Sequence, residues 1–137
     1  MREVRVLLAE DNEDHLFLAT RALRHVEDVS VEVIPARDGG EALDYLYGRG
    51  PHLDRALPDM VLLDLSMPGQ SGLDVLRIVK TDDSIAHIPV VVLTSSDRPE
   101  DVYAAYASGA NSYVSKSRGM ASLVEYWTKT ATLPSVN

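Results

Sequence analysis

Short apolar runs alternate along the chain with longer stretches in which apolar residues recur every three or four positions. A short apolar run between turn-forming or charged residues is typical of a buried strand, and the longer spacing is typical of one helical face. The runs predict strands over residues 4–9, 31–34, 60–64, 88–93 and 112–114. The periodic stretches predict helices over residues 16–26, 41–47, 73–80, 99–109 and 121–130.

Turn-forming residues mark the borders between these elements. Pro35 is expected to close the second strand, and residues 38–40 (Asp-Gly-Gly) to form a turn before the second helix. Pro99 suits the first turn of the fourth helix, and Gly109 suits its end. Residues 48–58 form a connection that is long for this class of protein.

The fivefold alternation of strand and helix predicts an α/β fold. Parallel strands joined by right-handed crossovers place helices on both faces of one sheet. Five such units favour the flavodoxin-like (βα)5 architecture, a parallel five-stranded sheet in the order 2-1-3-4-5. In that order a crevice opens at the carboxyl ends of the first and third strands. Functional residues are therefore expected directly after residue 9 and at residue 64.

Composition limits what such a chain can be. Its 137 residues, 45% of them hydrophobic, fit one domain over residues 1–137, with residues 131–137 as a C-terminal extension. No cysteine is present, which excludes disulfides and thiolate metal sites and suits a cytoplasmic location. The net charge of −8 opposes binding to nucleic acid. No apolar run reaches membrane-spanning length, so no membrane partner is expected.

Three carboxylates are expected to meet in the crevice: Glu10 and Asp11 after the first strand, and Asp64 at the end of the third. Like charges at such a site repel each other by on the order of several kcal/mol. A divalent cation, or Lys116 at the end of the fifth strand, can compensate them. Oxygen ligands without cysteine or paired histidine favour Mg²⁺ over zinc. By itself, Asp64 is open to three interpretations: a nucleophile, a metal ligand or a helix cap.

Hydroxyl and ammonium groups complete the expected site. Thr94, followed by Ser95 and Ser96, ends the fourth strand, and Lys116 follows the fifth. A hydroxyl can donate to a phosphoryl oxygen and a lysine can neutralise another, while Mg²⁺ is commonly bound by carboxylates together with phosphate. With Asp64 as the nucleophile, these groups suit phosphoryl transfer that works by positioning and charge.

These motifs resemble those of the receiver domains of two-component response regulators, over nearly the whole chain. The residues that carry the resemblance are Glu10, Asp11, Asp64 with the following Leu65-Ser66-Met67-Pro68-Gly69, Thr94, Ser95 and Lys116. The resemblance implies that Asp64 is phosphorylated from a histidine of a partner sensor histidine kinase. It also implies that Asp11, Asp64 and the backbone carbonyl of Ser66 hold Mg²⁺, with Glu10 acting mainly through water.

The resemblance further implies a conformational switch. Lys116 would pair with the phosphoryl group, and Thr94 would move toward it. Tyr113 would then turn inward and remodel the face built from the fourth helix, the fifth strand and the fifth helix. Ser66 and Ser96 match positions that tune the lifetime of the phosphoryl group in this family. Plain core packing for Tyr113 and a satisfied strand-end hydroxyl for Thr94 are the alternatives.

A narrower resemblance rests on residues 116–118, Lys-Ser-Arg, where many receiver domains have Lys-Pro. Together with the long connection before the third strand and a tail that contains Tyr126 and Trp127, this tripeptide makes the chain similar to the single-domain regulators of bacterial and cyanobacterial phytochrome histidine kinases. It implies a phytochrome-type kinase as partner. The tail and the face of the fourth helix, fifth strand and fifth helix are expected to form a homodimer contact, or else to cover the edge of the core. A cis and a trans Lys116–Ser117 bond are both open, the cis form costing roughly 2.5–4 kcal/mol.

Two other classes of function fit the same fold. An aspartyl phosphatase typically carries a second acid two residues after its nucleophile, where this chain has Ser66. A nucleotide or flavin binder needs a glycine- or hydroxyl-rich loop after the first strand, where residues 10–14 are almost all acidic. The sequence therefore predicts a signalling protein, not an enzyme, that catalyses only its own phosphorylation and dephosphorylation. Four histidines show no metal-ligand spacing and are expected at the surface: His15, His25, His52 and His87.

Overall fold

The computed structural model describes residues 2–26, 29–67, 71–94 and 98–115. The strands in these ranges are β1 (Arg2–Ala9), β2 (Val29–Ala36), β3 (Met60–Asp64), β4 (Val90–Thr94) and β5 (Ser112–Ser115). The helices are α1 (Glu13–Arg24), α2 (Gly39–Tyr47), α3 (Gly72–Thr81) and α4 (Pro99–Ala107), with a short 3-10 helix at Gly50–His52. The helix predicted over residues 121–130 lies outside the described residues.

All five strands are parallel and lie in the order β2-β1-β3-β4-β5. This confirms the predicted flavodoxin-like topology. β3 and β4 are buried along their whole length, as expected for central strands that helices cover on both faces.

A hydrophobic core lies on each face of the sheet. Successive side chains of a strand point to opposite faces, so Leu7 of β1 joins one core and Leu8 joins the other. The Leu7 core includes residues of α2, α3 and α4, and the Leu8 core includes residues of α1. The predicted inward positions of α1 and α2 are buried: Leu16, Ala19, Leu23, Ala42, Leu43 and Leu46.

The predicted end of β2 at Pro35 is wrong. The strand continues to Ala36, and Pro35 lies opposite Leu8 in the parallel register. β2 is an edge strand of the sheet. Proline lacks an amide hydrogen, and an edge strand tolerates this because one of its sides has no neighbouring strand to pair with.

The predicted turn at residues 38–40 is also wrong, because Gly39 and Gly40 already belong to α2. Asp38 is the N-cap, and its side-chain oxygen accepts a hydrogen bond from the Glu41 amide at 2.8 Å. A capped first turn satisfies an amide that would otherwise lack a partner. The cap thus outweighs the low helix propensity of two glycines.

β4 begins at Val90 rather than at residue 88, and the segment before it is held by Lys80 of α3. The Lys80 ammonium donates hydrogen bonds to the carbonyls of Ala86 at 3.0 Å and Ile88 at 2.7 Å. Burial of this group lowers the pKa of Lys80. These bonds fix the approach of the chain to β4.

The long connection at residues 48–58 is anchored to the end of α2. The Arg55 guanidinium donates to the carbonyls of Tyr45 at 3.0 Å and Leu46 at 2.8 Å. The Tyr45 hydroxyl in turn donates to the Ala56 carbonyl at 2.8 Å. These hydrogen bonds therefore hold the connection against the end of α2 before the chain enters β3.

Among the described residues, none of the helices has both the length and the apolar character needed to cross a membrane.

Candidate functional site

The register of the strands brings their carboxyl ends together at one edge of the sheet. Neighbouring strands are paired through Ala9 with Leu63, Asp64 with Leu93, and Thr94 with Ser115. Side chains at the ends of β1, β3 and β4 are therefore neighbours in space although these strands end far apart in sequence, at Ala9, Asp64 and Thr94.

Glu10, Asp11 and Asp64 form a cluster of acidic side chains at this edge. Each offers one carboxylate oxygen, and the three oxygens lie within 4.8 Å of one another. Glu10 and Asp64 are 2% and 4% exposed, whereas Asp11 is exposed. Burial and mutual repulsion both disfavour ionised carboxylates, so this cluster requires compensating positive charge. Three convergent oxygens suit a hard divalent cation.

Backbone amides orient the two buried carboxylates. The Ser66 amide donates to Asp64 Oδ1 at 3.1 Å, and the Asn12 amide donates to Glu10 Oε2 at 3.1 Å. The Glu10 amide itself donates to the Ala36 carbonyl of β2 at 2.9 Å. Each acid is thus fixed by the turn that follows its own strand.

The remaining acids of the run after β1 have a different role. Glu13 and Asp14 lie exposed in the first turn of α1, where negative charge interacts favourably with the helix dipole. Asn12 caps this helix, its side-chain oxygen accepting a hydrogen bond from the His15 amide at 3.0 Å. Only the first two acids of the run belong to the acidic cluster.

Thr94 is 3% exposed at the end of β4 and opens onto a cavity of about 510 Å³ beside the acidic cluster. The cavity is lined by Leu65, Ser66, Ser71, Leu73, Thr94, Arg98 and Asp101. Arg98 Nε donates to Asp101 Oδ2 at 3.2 Å, and this hydrogen bond raises the pKa of Arg98. Thr94 and Arg98 therefore line the same space as Leu65 and Ser66, the two residues that follow Asp64.

Tyr113 is half-buried on β5 and packs against the larger core, the one that contains Leu7. Lys116 comes directly after Ser115, but its placement lies outside the described residues, as does that of Ser96.

The sequence did not indicate that His15 belongs near this site. The predicted surface position is correct, since the His15 side chain is 44% exposed, but its Nδ1 lies 3.8 Å from Oε1 of buried Glu10. The two residues are five positions apart, across the turn into α1. A carboxylate just before a helix and a histidine in its first turn is the signal that could have found this pair.

Comparisons with known proteins agree with this geometry. Residues 6–128 match the protein family described as the response regulator receiver domain. The chain is 35% identical over 136 residues to the response regulator Rcp1 of Synechocystis sp., with 94% of this chain and 92% of Rcp1 covered. Receiver domains bind a divalent metal in an acidic pocket, and the acidic cluster occupies that place here.

Solved structures of response regulators are also similar to this chain. The chain superimposes on the Mn(2+)-bound form of Rcp1 with a TM-score of 0.86 and 34% identity, covering 96% of this chain and 99% of that one. It superimposes on the phosphorylated cyanobacterial phytochrome response regulator RcpA with a TM-score of 0.88 and 36% identity, with the same coverage of 96% and 99%.

Proposed function

The chain belongs to the response regulator receiver domain family and acts in two-component signalling, and from this premise we propose that Asp64 is its phosphoacceptor. One Asp64 oxygen attacks the phosphorus of a phosphohistidine on a sensor kinase. The new O–P bond forms as the N–P bond breaks, and the histidine leaves as free imidazole. The observation that carries the proposal is the convergence of three carboxylate oxygens within 4.8 Å around buried Asp64.

Mg²⁺ is the proposed cation. Asp11, Asp64 and the Ser66 carbonyl would hold it, with Glu10 acting mainly through water. The ion supplies charge neutralisation for the transferred group. The convergence of oxygens of Glu10, Asp11 and Asp64 within 4.8 Å supports a hard divalent cation here. The hydrogen bond from the Ser66 amide to Asp64 Oδ1, at 3.1 Å, fixes the orientation of the attacking carboxylate.

Four further side chains would act on the phosphoryl group. Thr94 would donate its hydroxyl, Lys116 would neutralise a phosphoryl oxygen, and Ser66 with Ser96 would set how fast water removes the group. The position of Thr94 in the lining of the same cavity as Leu65 and Ser66, which directly follow Asp64, supports its role. Movement of Thr94 would leave room for the half-buried Tyr113 to turn inward. The protein would catalyse nothing beyond its own phosphorylation and dephosphorylation.

The proposed partner is a phytochrome-type histidine kinase in the cytoplasm. The support is the similarity to RcpA, a cyanobacterial phytochrome response regulator, at 36% identity. The proposed output is homodimerisation through α4, β5 and the C-terminal residues. Tyr103 and Tyr106 of α4 support this because they are 75% and 50% exposed, and exposed tyrosines are common anchors of protein interfaces.

The test is phosphate incorporation from acetyl phosphate, followed by intact-protein mass spectrometry with and without Mg²⁺. Wild type should gain one phosphoryl group only with Mg²⁺, and Asp64→Asn should gain none. Asp74→Asn, an exposed acid in the first turn of α3, is the matched control and should label like wild type. Stable labelling of Asp64→Asn would refute the assignment.

The partner and the output are tested separately. A phosphorylated phytochrome kinase should transfer its phosphoryl group faster than a histidine kinase of another sensor class. Sedimentation before and after phosphorylation should show association, which Tyr103→Arg weakens. Phe17→Arg on α1, also at an exposed aromatic residue, is the control for added surface charge. Equal transfer from both kinases would remove the phytochrome assignment, and unchanged sedimentation would remove the dimer.

A further inference from the structure

The turn between β1 and α1 carries two of the three acids of the cluster, and the segment after β2 holds both of its ends. At its start, the Glu10 amide donates to the Ala36 carbonyl at 2.9 Å. At its end, the Arg37 guanidinium donates to the carboxylate of Glu13, in the first turn of α1, and forms an ion pair with it. Ala36 and Arg37 are consecutive residues, so one short segment anchors the whole turn.

Arg37 is itself fixed by the start of α2. The Glu41 side chain reaches back along the helix, and its Oε1 accepts a hydrogen bond from the Arg37 amide at 3.2 Å. The Glu41 amide in turn donates to the N-cap Asp38 at 2.8 Å. Reciprocal bonds of this kind, as in a capping box, order the residues at a helix start. The guanidinium therefore extends from a backbone position that α2 determines.

The residues between the two anchors determine where the oxygens of the acidic cluster lie. Asp11 supplies one of the three convergent oxygens from an exposed position. The Asn12 amide donates to Glu10 Oε2 at 3.1 Å and so orients a second carboxylate. Asp11 and Asn12 lie in neither a strand nor a helix, so their positions depend on what holds the ends of the turn. A turn that is already in its binding geometry loses less conformational freedom when a cation binds.

The exposure of the ion pair limits how large its effect can be. The side chains of Arg37 and Glu13 are 48% and 69% exposed. Solvent screens such pairs, and their contributions are small. We therefore expect loss of the pair to change cation affinity by a few fold and to leave the fold intact.

We propose that Arg37 is a positioning residue for the cation site: by holding Glu13, it keeps the turn of residues 10–12 in the geometry in which the oxygens of the cluster converge. The inference rests on the cation site of the proposed function, and Arg37 acts through Glu13 rather than as a ligand. Electrostatics alone predicts the opposite sign, because removing a positive charge near an acidic site should strengthen cation binding. The direction of the change therefore distinguishes the two explanations.

The test measures the Mg²⁺ affinity of the full chain by calorimetry in wild type, Arg37→Gln, Glu13→Gln and the double variant. Arg37→Gln should weaken Mg²⁺ binding about threefold, within the range for an exposed ion pair, although it makes the protein more acidic. In the Glu13→Gln background the same change should cause no further loss, because the two residues act as one pair. The control Arg77→Gln also removes an arginine from an exposed ion pair, with Asp74 on α3, and should not weaken binding.

Labelling by acetyl phosphate distinguishes positioning from damage to the fold. Arg37→Gln should need about threefold more Mg²⁺ for its half-maximal labelling rate, as expected from the loss of an exposed ion pair. At saturating Mg²⁺ its rate should equal that of wild type, because the bound ion then holds the oxygens together. A lower rate at saturating Mg²⁺ would show general damage and overturn the proposal. Unchanged or tighter Mg²⁺ binding by Arg37→Gln, an equal loss in Arg77→Gln, or a further loss in the double variant would also overturn it.

Asp11→Ala separates this inference from the one beneath it. If Asp11→Ala weakens Mg²⁺ binding and Arg37→Gln does not, the role of Arg37 is refuted and the acidic cation site stands. If Asp11→Ala leaves Mg²⁺ binding unchanged, the cation site itself is refuted, and the role of Arg37 is refuted with it.

Discussion

Gly72, the first residue of α3, packs directly against the backbone of Asp64. A Cβ atom on Gly72 would stand 2.6 Å from the Asp64 carbonyl oxygen and 2.6 Å from the Leu65 Cα. Contacts this close cannot be relieved by a side-chain rotation, because both partners belong to the backbone. The start of α3 and the proposed phosphoacceptor are therefore positioned together.

Gly72→Ala should displace the turn after β3. We expect the free energy of unfolding to fall by about 1–3 kcal/mol, the usual range for overpacking, and phosphorylation by acetyl phosphate to slow. Urea unfolding and labelling rates measure the two effects. Gly40→Ala, in the first turn of α2, is the control, because its Cβ would meet only the Asp38 side chain at 3.2 Å. Equal stability of the two variants would show that the contact at Gly72 is easily accommodated.

Asp11→Ala should weaken Mg²⁺ binding by at least tenfold, because it removes one of three convergent oxygens. Isothermal calorimetry measures the affinity. The matched control is Asp14→Ala, an acid of the same run that lies in the first turn of α1 instead of the cluster. If Asp14→Ala has the same Mg²⁺ affinity as Asp11→Ala, any loss of affinity comes from the lower negative charge of the protein, and Asp11 is not a ligand.

Tyr47→Phe should raise the pKa of Asp82 toward the ordinary value of an aspartate. The Tyr47 hydroxyl donates to Asp82 Oδ2 at 2.6 Å, and this bond, followed by those from Ser84, lowers the pKa of Asp82. A carboxyl whose pKa is lowered by folding contributes stability above its unfolded pKa, and that stability is lost as the pH falls through its folded pKa. The variant's deficit in stability should therefore be present at neutral pH and disappear in acid.

Carboxyl-carbon NMR titration of Asp82 measures this change, with urea unfolding at neutral and acidic pH beside it. Tyr103→Phe, at an exposed tyrosine of α4, should leave Asp82 unaffected. If the pKa of Asp82 is the same in Tyr47→Phe and in wild type, the hydrogen bonds from Ser84 alone lower that pKa.

Lys80→Met should destabilise the fold by about 1–3 kcal/mol, the range for losing hydrogen bonds to a charged group. The substitution keeps an apolar stem but leaves the carbonyls of Ala86 and Ile88 without the ammonium donor. Thermal unfolding measures the effect. Arg77→Met is the control, since its ion pair with Asp74 is exposed and such pairs contribute roughly 0–1 kcal/mol. Equal losses in the two variants would show that the Lys80 bonds add nothing beyond surface charge.

The sequence predicted the order of strands and helices and the convergence of Glu10, Asp11 and Asp64. Both follow from local features: buried parallel strands appear as short apolar runs, and their carboxyl ends share one edge of the sheet. The borders at Pro35 and Gly39 were wrong for a physical reason. Residue propensity does not reveal that β2 is an edge strand or that Asp38 caps a helix that begins with two glycines.

Only the tertiary structure decided which side chains surround the acidic cluster. The packing of Gly72 on Asp64 and the approach of His15 to Glu10 depend on how α3 and α1 leave their strands. The bond between Tyr47 and Asp82, residues that are 35 positions apart, joins the ends of two helices. Apolar periodicity specifies which face of an element is buried, but distances between polar groups on different elements are set by the packing of the whole sheet.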